Sequence, residues 1–299
     1  MMTFQIPQPD IFSFKECLWY IDRSFLDATH FIENESVYKW LTVNDEELLI
    51  RLHENEDGAA LDVLNRDSIS NDEQSLLTGY ISDWLDLEGD LASFYKLVEK
   101  DRLLAKLVKQ YRGLRIIGIP DLFEALCWSI IGQQVNLTFA FKLKSALVES
   151  FGKKLAYEEH PLYIFPKPAQ IASLEIDDFT GLQFSRRKAE YIIDLANMFV
   201  ENAIDKASLK ALGSLEEIVA RLVEIRGIGK WTANYVAMRC LKMKDAFPIE
   251  DVGLHNAIKN QLDMYEKPSI AEIAEMADSW KPFRAYATLY LWRSLADKK

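Results

Sequence analysis

Apolar and polar residues change rhythm twice along this chain. Between Tyr38 and Leu64 the rhythm is short: Leu48, Ile50 and Leu52 alternate with Leu49, Arg51 and His53, the two-residue period of a half-buried strand. Asn44-Asp45 separates that segment from Tyr38–Val43, a hairpin signal, and Asn55–Gly58 leads to a third expected strand around Leu61–Leu64. A helical period follows from Asp72 to about Leu85, and Gly89-Asp90 marks a boundary. Beyond it nearly everything reads as helix. Leu91–Tyr111 is one long amphipathic run, and Gly118-Ile119-Pro120 breaks the chain before Asp121–Ile131. Asn136–Phe151 is stopped by Gly152, read as a C′ glycine, and Pro161, Pro166 and Pro168 mark an irregular connection. Ser185 caps a helix to about Asn202; the last helices are Val252–Gln261, Ser269–Trp280 and Phe283–Leu295. The fold class is mainly α with an N-terminal α+β domain.

The stretch Ser214–Asp251 organises the rest. Ser214 and Glu217 form an S-x-x-E capping box before an apolar-periodic run of Leu215, Ile218, Val219 and Leu222. That run meets Arg226-Gly227-Ile228-Gly229, and a second helical pattern begins at once with Lys230 and Trp231. Helix, glycine hairpin and helix together present amides at a helix N-terminus with no side chains in the way, a surface that a phosphate can approach closely. Such a grip holds a sugar-phosphate backbone without reading sequence. Pro248-Ile249-Glu250-Asp251 then precedes the helix at Val252, where a helix dipole favours a negative charge.

Composition sharpens this picture at one point. A length of 299 residues suggests two or three compact units, and 49% hydrophobic residues supply a real core. No apolar run approaches the length needed to span a bilayer, and the N-terminal residues lack a secretory pattern. Cys17, Cys127 and Cys240 lie far apart, with no metal-ligand spacing, and fit buried thiols in a reducing, cytoplasmic setting. The net charge of −11 argues against a polyanionic partner until its distribution is seen. Residues 1–90 carry 20 acids and 5 bases, whereas the remainder carries 26 acids and 30 bases. A polyanion meets the second part and avoids the first.

The pairing of a backbone-gripping hairpin with a downstream Asp resembles the helix-hairpin-helix DNA glycosylase superfamily, and within it the AlkA-type DNA-3-methyladenine glycosylases (class II). Five segments carry the likeness: FEALCWSIIGQQV (123–135), GLQFSRRKAEYIIDLA (181–196), LVEIRGIGKWTANYVAMR (222–239), FPIEDVGL (247–254) and WKPFRAYATLYLWR (280–293). The third and fourth are the specific ones. The resemblance implies two helical bundles flanking a cleft. Residues 1–90 would form an acidic α+β domain and 113–243 a central helical domain with the hairpin. Residues 91–112 plus 244–299 would form a second bundle carrying the catalytic Asp. It also implies that main-chain carbonyls of Val223, Ile225 and Ile228 bind a monovalent cation, Na or K, and that no other cofactor is required.

Breaking an N-glycosidic bond builds positive charge on the sugar, which a fixed carboxylate stabilises. Asp251 occupies the family's catalytic position; residues of this type before a helix are also ordinary N-caps. Glu250 is a weaker rival. Trp231 and Tyr235, four apart on one helical face, and Trp292 on the last helix are the base-pocket candidates, since an extruded base is held between aromatic faces and an alkylated purine is cationic. The expected backbone grip is Gly227, Gly229 and Lys230, with Gln134 as the wedge filling the gap in the stack; the best-known AlkA pattern has leucine there. Relatives that cleave the backbone carry a lysine where Trp231 stands, and the chain lacks the C-terminal four-cysteine cluster of endonuclease III-like relatives. Base excision without strand cleavage, an alkylated duplex as partner, no iron–sulfur cluster and a monomer are the expectations. A non-catalytic hairpin module that only binds DNA, or a glycosylase for oxidised purines, remain the alternatives.

Overall fold

The computed structural model describes residues 2–22 and 27–296. Its N-terminal part is a five-stranded antiparallel sheet of β1 (Met2–Gln5), β2 (His30–Glu33), β3 (Ser36–Val43), β4 (Glu46–Asn55) and β5 (Gly58–Val63), in the order β1-β5-β4-β3-β2. The hairpin expected at Asn44-Asp45 is there: both residues have positive φ, 49° and 61°, the handedness that matches strand twist in a two-residue turn. Its register opposes Leu41 to Leu48, and the next pairs Leu52 with Leu61, so apolar side chains share one face. Helix α1 (Phe14–Ile21) and α2 (Asn71–Leu85) complete this part; Ser70 and Glu73 form a full capping box at the start of α2. The strands β1 and β2 and helix α1 are too short to declare themselves by periodicity.

Three expectations fail, each for a tertiary reason. The run Leu91–Tyr111 is two helices, α3 (Leu91–Leu97) and α4 (Leu104–Gln110). Asp101 lies between them, where its Oδ1 accepts the amides of Leu103 and Leu104 and starts a fresh helix. Its Oδ2 accepts the indole N–H of Trp280 at 2.9 Å, so a residue far along the chain pins the break. After α5 (Leu122–Ile131) and α6 (Leu137–Phe151), the irregular connection is instead a β-hairpin, β6 (Lys153–Tyr157) and β7 (His160–Ile164). Pro161 is tolerated because each strand of a two-stranded ribbon is an edge. The hairpin is held against the N-terminal sheet by the Tyr163 amide on Ala28 O and by His160 stacked on Phe31 at 4.1 Å. Gly152 ends α6 without the left-handed turn expected of a C′ glycine. Its φ is −77°, and a Cβ there would lie 2.5 Å from the carbonyl oxygens of Val148 and Ile164.

Then come α7 (Pro168–Ala172), a 3₁₀ segment (Ile176–Leu182), α8 (Arg186–Val200) capped by Ser185, and α9 (Lys206–Ala211). The hairpin helices are α10 (Leu215–Val223) and α11 (Lys230–Arg239), followed by α12 (Val252–Gln261), α13 (Ile270–Asp278) and α14 (Arg284–Ser294). Ser214 caps α10 by accepting the Glu217 amide, while the Glu217 carboxylate accepts from the Ser214 hydroxyl. Helix α14 is buried along almost its whole length and packs on α4 and α12. It ties the parts together: Tyr286 donates to Asp86, Tyr290 donates to Leu114 O, and Arg293 pairs with Glu16 on α1 at 2.9 Å. Among the described residues no helix is long and apolar enough to cross a membrane.

The N-terminal sheet meets the helical part through a buried ionic cluster. Lys144 on α6 bridges Asp27 at 2.8 Å and Glu124 on α5 at 2.9 Å, and His30 lies 3.9 Å from Asp27. Burial pushes the His30 imidazole down to about 4, outweighing the pull of the Asp27 carboxylate. The folded chain therefore keeps His30 neutral while the unfolded chain protonates it near its ordinary value. Between those limits the unfolded state binds more protons, so stability falls as pH drops from about 6.5 toward 4 and is flat above. We expect urea unfolding to show up to about 3 kcal/mol less stability at pH 4.5 than at pH 7.5. In His30→Gln that slope should shrink markedly; an unchanged slope would assign it to other groups.

Candidate active site

The hairpin between α10 and α11 turns at Gly227, whose φ of +91° belongs to glycine. A Cβ on Gly227 would also strike the Tyr191 ring at 2.4 Å, so α8 packs flush against the turn. Gly229 is the N-cap of α11; nothing lies within 4 Å of where its Cβ would be, and Lys230 beside it is exposed. This is open amide surface at a helix start, the geometry that receives an anion. The turn is held from two sides. Gln133 donates to Gly227 O at 2.8 Å and to the Thr232 hydroxyl at 3.1 Å, and Arg226 bonds Glu190 and Asp194 on α8. Arg226 is thus engaged with carboxylates. Lys188 is likewise committed, donating to Ile131 O at the end of α5, and Arg186 pairs with Glu190; of that basic run Arg187 stays exposed.

The carbonyls of Val223, Ile225 and Ile228 lie on the same turn. Ile225 O accepts the Ile228 amide at 3.0 Å, which uses one of its two lone pairs. A small oxygen-preferring cation fits the chemistry of three such neutral oxygens. Gln134 follows α5 in the left-handed region with φ of 56° and is exposed, a position that projects its side chain away from the packed helices.

Asp251 is the N-cap of α12, and much more converges on it. Its Oδ1 accepts the Leu254 amide at 2.8 Å and the Trp292 indole N–H at 2.8 Å; its Oδ2 accepts the Trp231 indole N–H at 3.3 Å. Three helices, α11, α12 and α14, therefore meet at one half-buried carboxylate. A carboxylate offers about four acceptor positions, so Oδ2 keeps capacity for a water or a developing charge. The indoles bind edge-on through N–H, which leaves their faces to form walls. Trp231 stacks on Tyr235 with centroids 5.5 Å apart at 25°, and Tyr235 lies 6.3 Å from Trp292. Trp231, Tyr235, Trp292 and Asp251 are thus brought into one half-buried cluster, next to the hairpin. Glu250 is exposed at the same corner. His255, one turn on, bonds Ile249 O at 2.8 Å and steadies the loop before α12.

Three supporting residues escape sequence reasoning. Gly253 lets Trp292 close on the carboxylate: a Cβ there would sit 2.9 Å from Asp251 Oδ1 and 3.3 Å from the indole. Trp128 on α5 and Arg239 on α11 both donate to the Tyr235 hydroxyl, at 2.9 Å and 2.8 Å. Nothing local marks them, because each partner is remote in sequence or one of many neighbours.

Fold and site together define a helix-hairpin-helix protein with an aromatic-walled carboxylate beside the hairpin. A family model described as HhH-GPD superfamily base excision DNA repair protein matches residues 127–283, and one described as 8-oxoguanine DNA glycosylase, N-terminal domain, matches residues 11–126. A DNA-3-methyladenine glycosylase of Bacillus subtilis (strain 168) is 37% identical over 292 residues, covering 97% of this chain and 96% of its own. DNA-3-methyladenine glycosylase 2 of Escherichia coli (strain K12) is 33% identical over 190 residues, 63% of this chain and 65% of its own. The solved 3-methyladenine DNA-glycosylase from Archaeoglobus fulgidus shares the fold with a TM-score of 0.82 at 21% identity, covering 100% of this chain and 99% of that one. The chain belongs to the HhH-GPD superfamily of base excision DNA repair proteins.

Two outcomes follow from this geometry. Asp251→Asn keeps a good N-cap acceptor and should unfold in urea close to the native chain, whereas Asp251→Ala should lose about 1–2 kcal/mol with the cap and with the acceptor of two indoles. Equal stability of the two variants would mean the carboxylate is not the tie described here. Gly253→Ala should lower the single-turnover rate of the site by about tenfold by forcing Trp292 off Asp251, with α12 intact by circular dichroism; one methyl misplaced near reacting groups has such effects.

Proposed function

We propose that this chain is a monofunctional DNA glycosylase. It extrudes alkylated purines of the 3-methyladenine and 7-methylguanine type from duplex DNA and hydrolyses the N-glycosidic bond, leaving an abasic site. The observation that carries this reading is the Asp251 carboxylate fixed among aromatic faces beside a phosphate-gripping hairpin. The names of the Bacillus subtilis and Escherichia coli relatives support the substrate class. In this reading the amides at Gly227 and Gly229, with Lys230, hold the DNA backbone, and Gln134 fills the gap that the extruded nucleotide leaves. Trp231, Tyr235 and Trp292 receive the base, whose positive charge the ring faces attract.

As the C1′–N bond breaks, its electron pair leaves with the base and cationic character grows on the sugar. Asp251 stabilises that charge and accepts a proton from the water that adds to C1′. A cationic base leaves readily without a general acid, and a second one is not needed. A monovalent Na or K ion at the carbonyls of Val223, Ile225 and Ile228 would stiffen the hairpin and add positive potential where phosphate binds. The hairpin would come from a domain of residues 113–243. The carboxylate would come from a bundle of 91–112 with 244–299, and the acidic residues 1–90 would stand clear of the DNA. The protein would act as a monomer in the cytoplasm.

The match of residues 11–126 to an 8-oxoguanine glycosylase domain gives a second reading, excision of oxidised purines with strand cleavage through a lysine Schiff base. One experiment separates the readings. Duplex DNA treated with a methylating agent is incubated with the protein and the released bases are separated by chromatography. We expect 3-methyladenine and 7-methylguanine, an intact phosphodiester backbone, and no borohydride-trapped adduct. Asp251→Asn should lower release on the order of 10²–10³-fold while retaining duplex binding. Unaltered release by that variant would remove Asp251 from the reaction; binding with no released base would leave a DNA-binding module.

A further inference from the structure

Along α11, Trp231, Tyr235 and Arg239 recur every four residues and so share one face of the helix. They span about 12 Å from the Asp251 end inward, at 1.5 Å per residue. Trp231 touches the carboxylate, Tyr235 stacks behind it, and Arg239 lies deepest, where α11 lines a cavity of about 120 Å³. Trp84, Trp128 and Phe141 also line that cavity. A nucleotide whose sugar faces Asp251 would lay its base along Tyr235 and bring the far edge of a purine toward the Arg239 end.

Arg239 is an unusual group to find there. It is 7% exposed, and among the described residues its bonds reach no carboxylate. Its acceptors are all neutral: Nε bonds Ile117 O, and Nη1 bonds the hydroxyls of Tyr20 at 2.7 Å and Tyr235 at 2.8 Å. Nη2 has no acceptor among the described residues and is not sealed from solvent, so it keeps an opening toward the cavity. Removing a guanidinium from water for two phenols and a carbonyl is a poor exchange for stability alone. A donor held in place by three bonds, with a further N–H pair left over beside the cavity, is instead suited to meet an acceptor that arrives with a ligand.

We propose that Arg239 is a specificity-determining residue: its Nη1 fixes the Tyr235 and Tyr20 hydroxyls, and its Nη2 donates to an acceptor on the far edge of the extruded base, favouring a purine with an oxygen at C6 over one with an amino group there. In 7-methylguanine the methyl group occupies N7, which leaves O6 as the acceptor on that edge for an arginine, whereas the adenine amino group is itself a donor and opposes one. This rests on the alkylpurine reading given above. It separates two bases of equal charge, 7-methylguanine and 3-methyladenine, so any general effect of the guanidinium on a cationic ring cancels.

Methylated duplex DNA supplies both bases in one reaction, and the ratio of their initial release rates does not depend on how much enzyme is folded. Arg239→Lys and Arg239→Gln should lower the ratio of 7-methylguanine to 3-methyladenine release by about tenfold, on the scale of one lost base-edge contact. Tyr20→Phe, which leaves Nη2 in place, should hold that ratio within about twofold. If both rates fall together at constant ratio in the Arg239 variants, Arg239 is a structural bridge and the proposal fails. Should neither variant release any base, binding decides. Quenching of tryptophan fluorescence in the native protein by free 7-methylguanine should then occur at a concentration about tenfold lower than by free 3-methyladenine, and equal affinities would overturn the proposal. Native protein that releases neither base from DNA would instead sink the glycosylase reading.

Discussion

Everything in this molecule that bears on chemistry is arranged around one carboxylate with three donors from three helices. Asp251 satisfies one free amide of α12, that of Leu254, as an N-cap does, and at the same oxygen receives the Trp292 indole from α14. Its other oxygen receives the Trp231 indole from α11. Holding a charged group half-buried is costly unless its lone pairs are met, and meeting them from three directions leaves the carboxylate little freedom to rotate. The same bonds set the planes of the two indoles. The position of the charge and the shape of the aromatic walls are therefore a single structural fact.

Glycines make room both at the carboxylate and at the hairpin. Gly253 leaves room for the Trp292 indole against Oδ1, and Gly227 permits the left-handed turn and the close packing of Tyr191. Gly229 removes the side chain that would otherwise shield the first amides of α11. The basic side chains nearest the turn are less available than their number suggests: Arg226, Arg186 and Lys188 are all engaged within the protein. In the proposed reading, phosphate attraction at this surface would fall mainly to main-chain dipoles and Lys230. That is consistent with a contact that recognises backbone and not sequence.

Much of this was legible in the residues alone. The helices that begin with a Ser, Asp or Asn cap and carry a clear apolar stripe lie where their caps and periods place them: α12 runs Val252–Gln261, and α8 starts at Ser185. The hairpin strands β3 and β4 follow from Asn44-Asp45 because that pair tolerates positive φ on both residues. The departures occur where a distant partner outweighs local preference. Trp280 holds Asp101 and divides Leu91–Tyr111; the sheet edge and Phe31 recruit residues 153–164 into a hairpin despite Pro161. Among the candidate site residues, the hairpin glycines and the Trp231–Tyr235 pair were readable from turn chemistry and helical spacing, whereas Asp251, Trp292 and Gln134 were singled out by resemblance to helix-hairpin-helix glycosylases.

By itself, then, the order of residues determined the mainly helical class and the glycine turn before α11, and its resemblance to helix-hairpin-helix glycosylases singled out Asp251 and its aromatic neighbours as candidates. The helical class and the turn rest on short-range physics: capping, period, and glycine at a turn. Only the tertiary structure decided that Asp251 is both cap and indole acceptor, that Gly253 is obliged to be small, and that Arg239 lies buried with neutral partners at the inner end of the pocket face. Those facts depend on Trp292, Ile117 and Tyr20, which reach the site from elements far along the chain. Packing between distant helices settles such contacts, and no local pattern encodes the distance at which two remote side chains will meet.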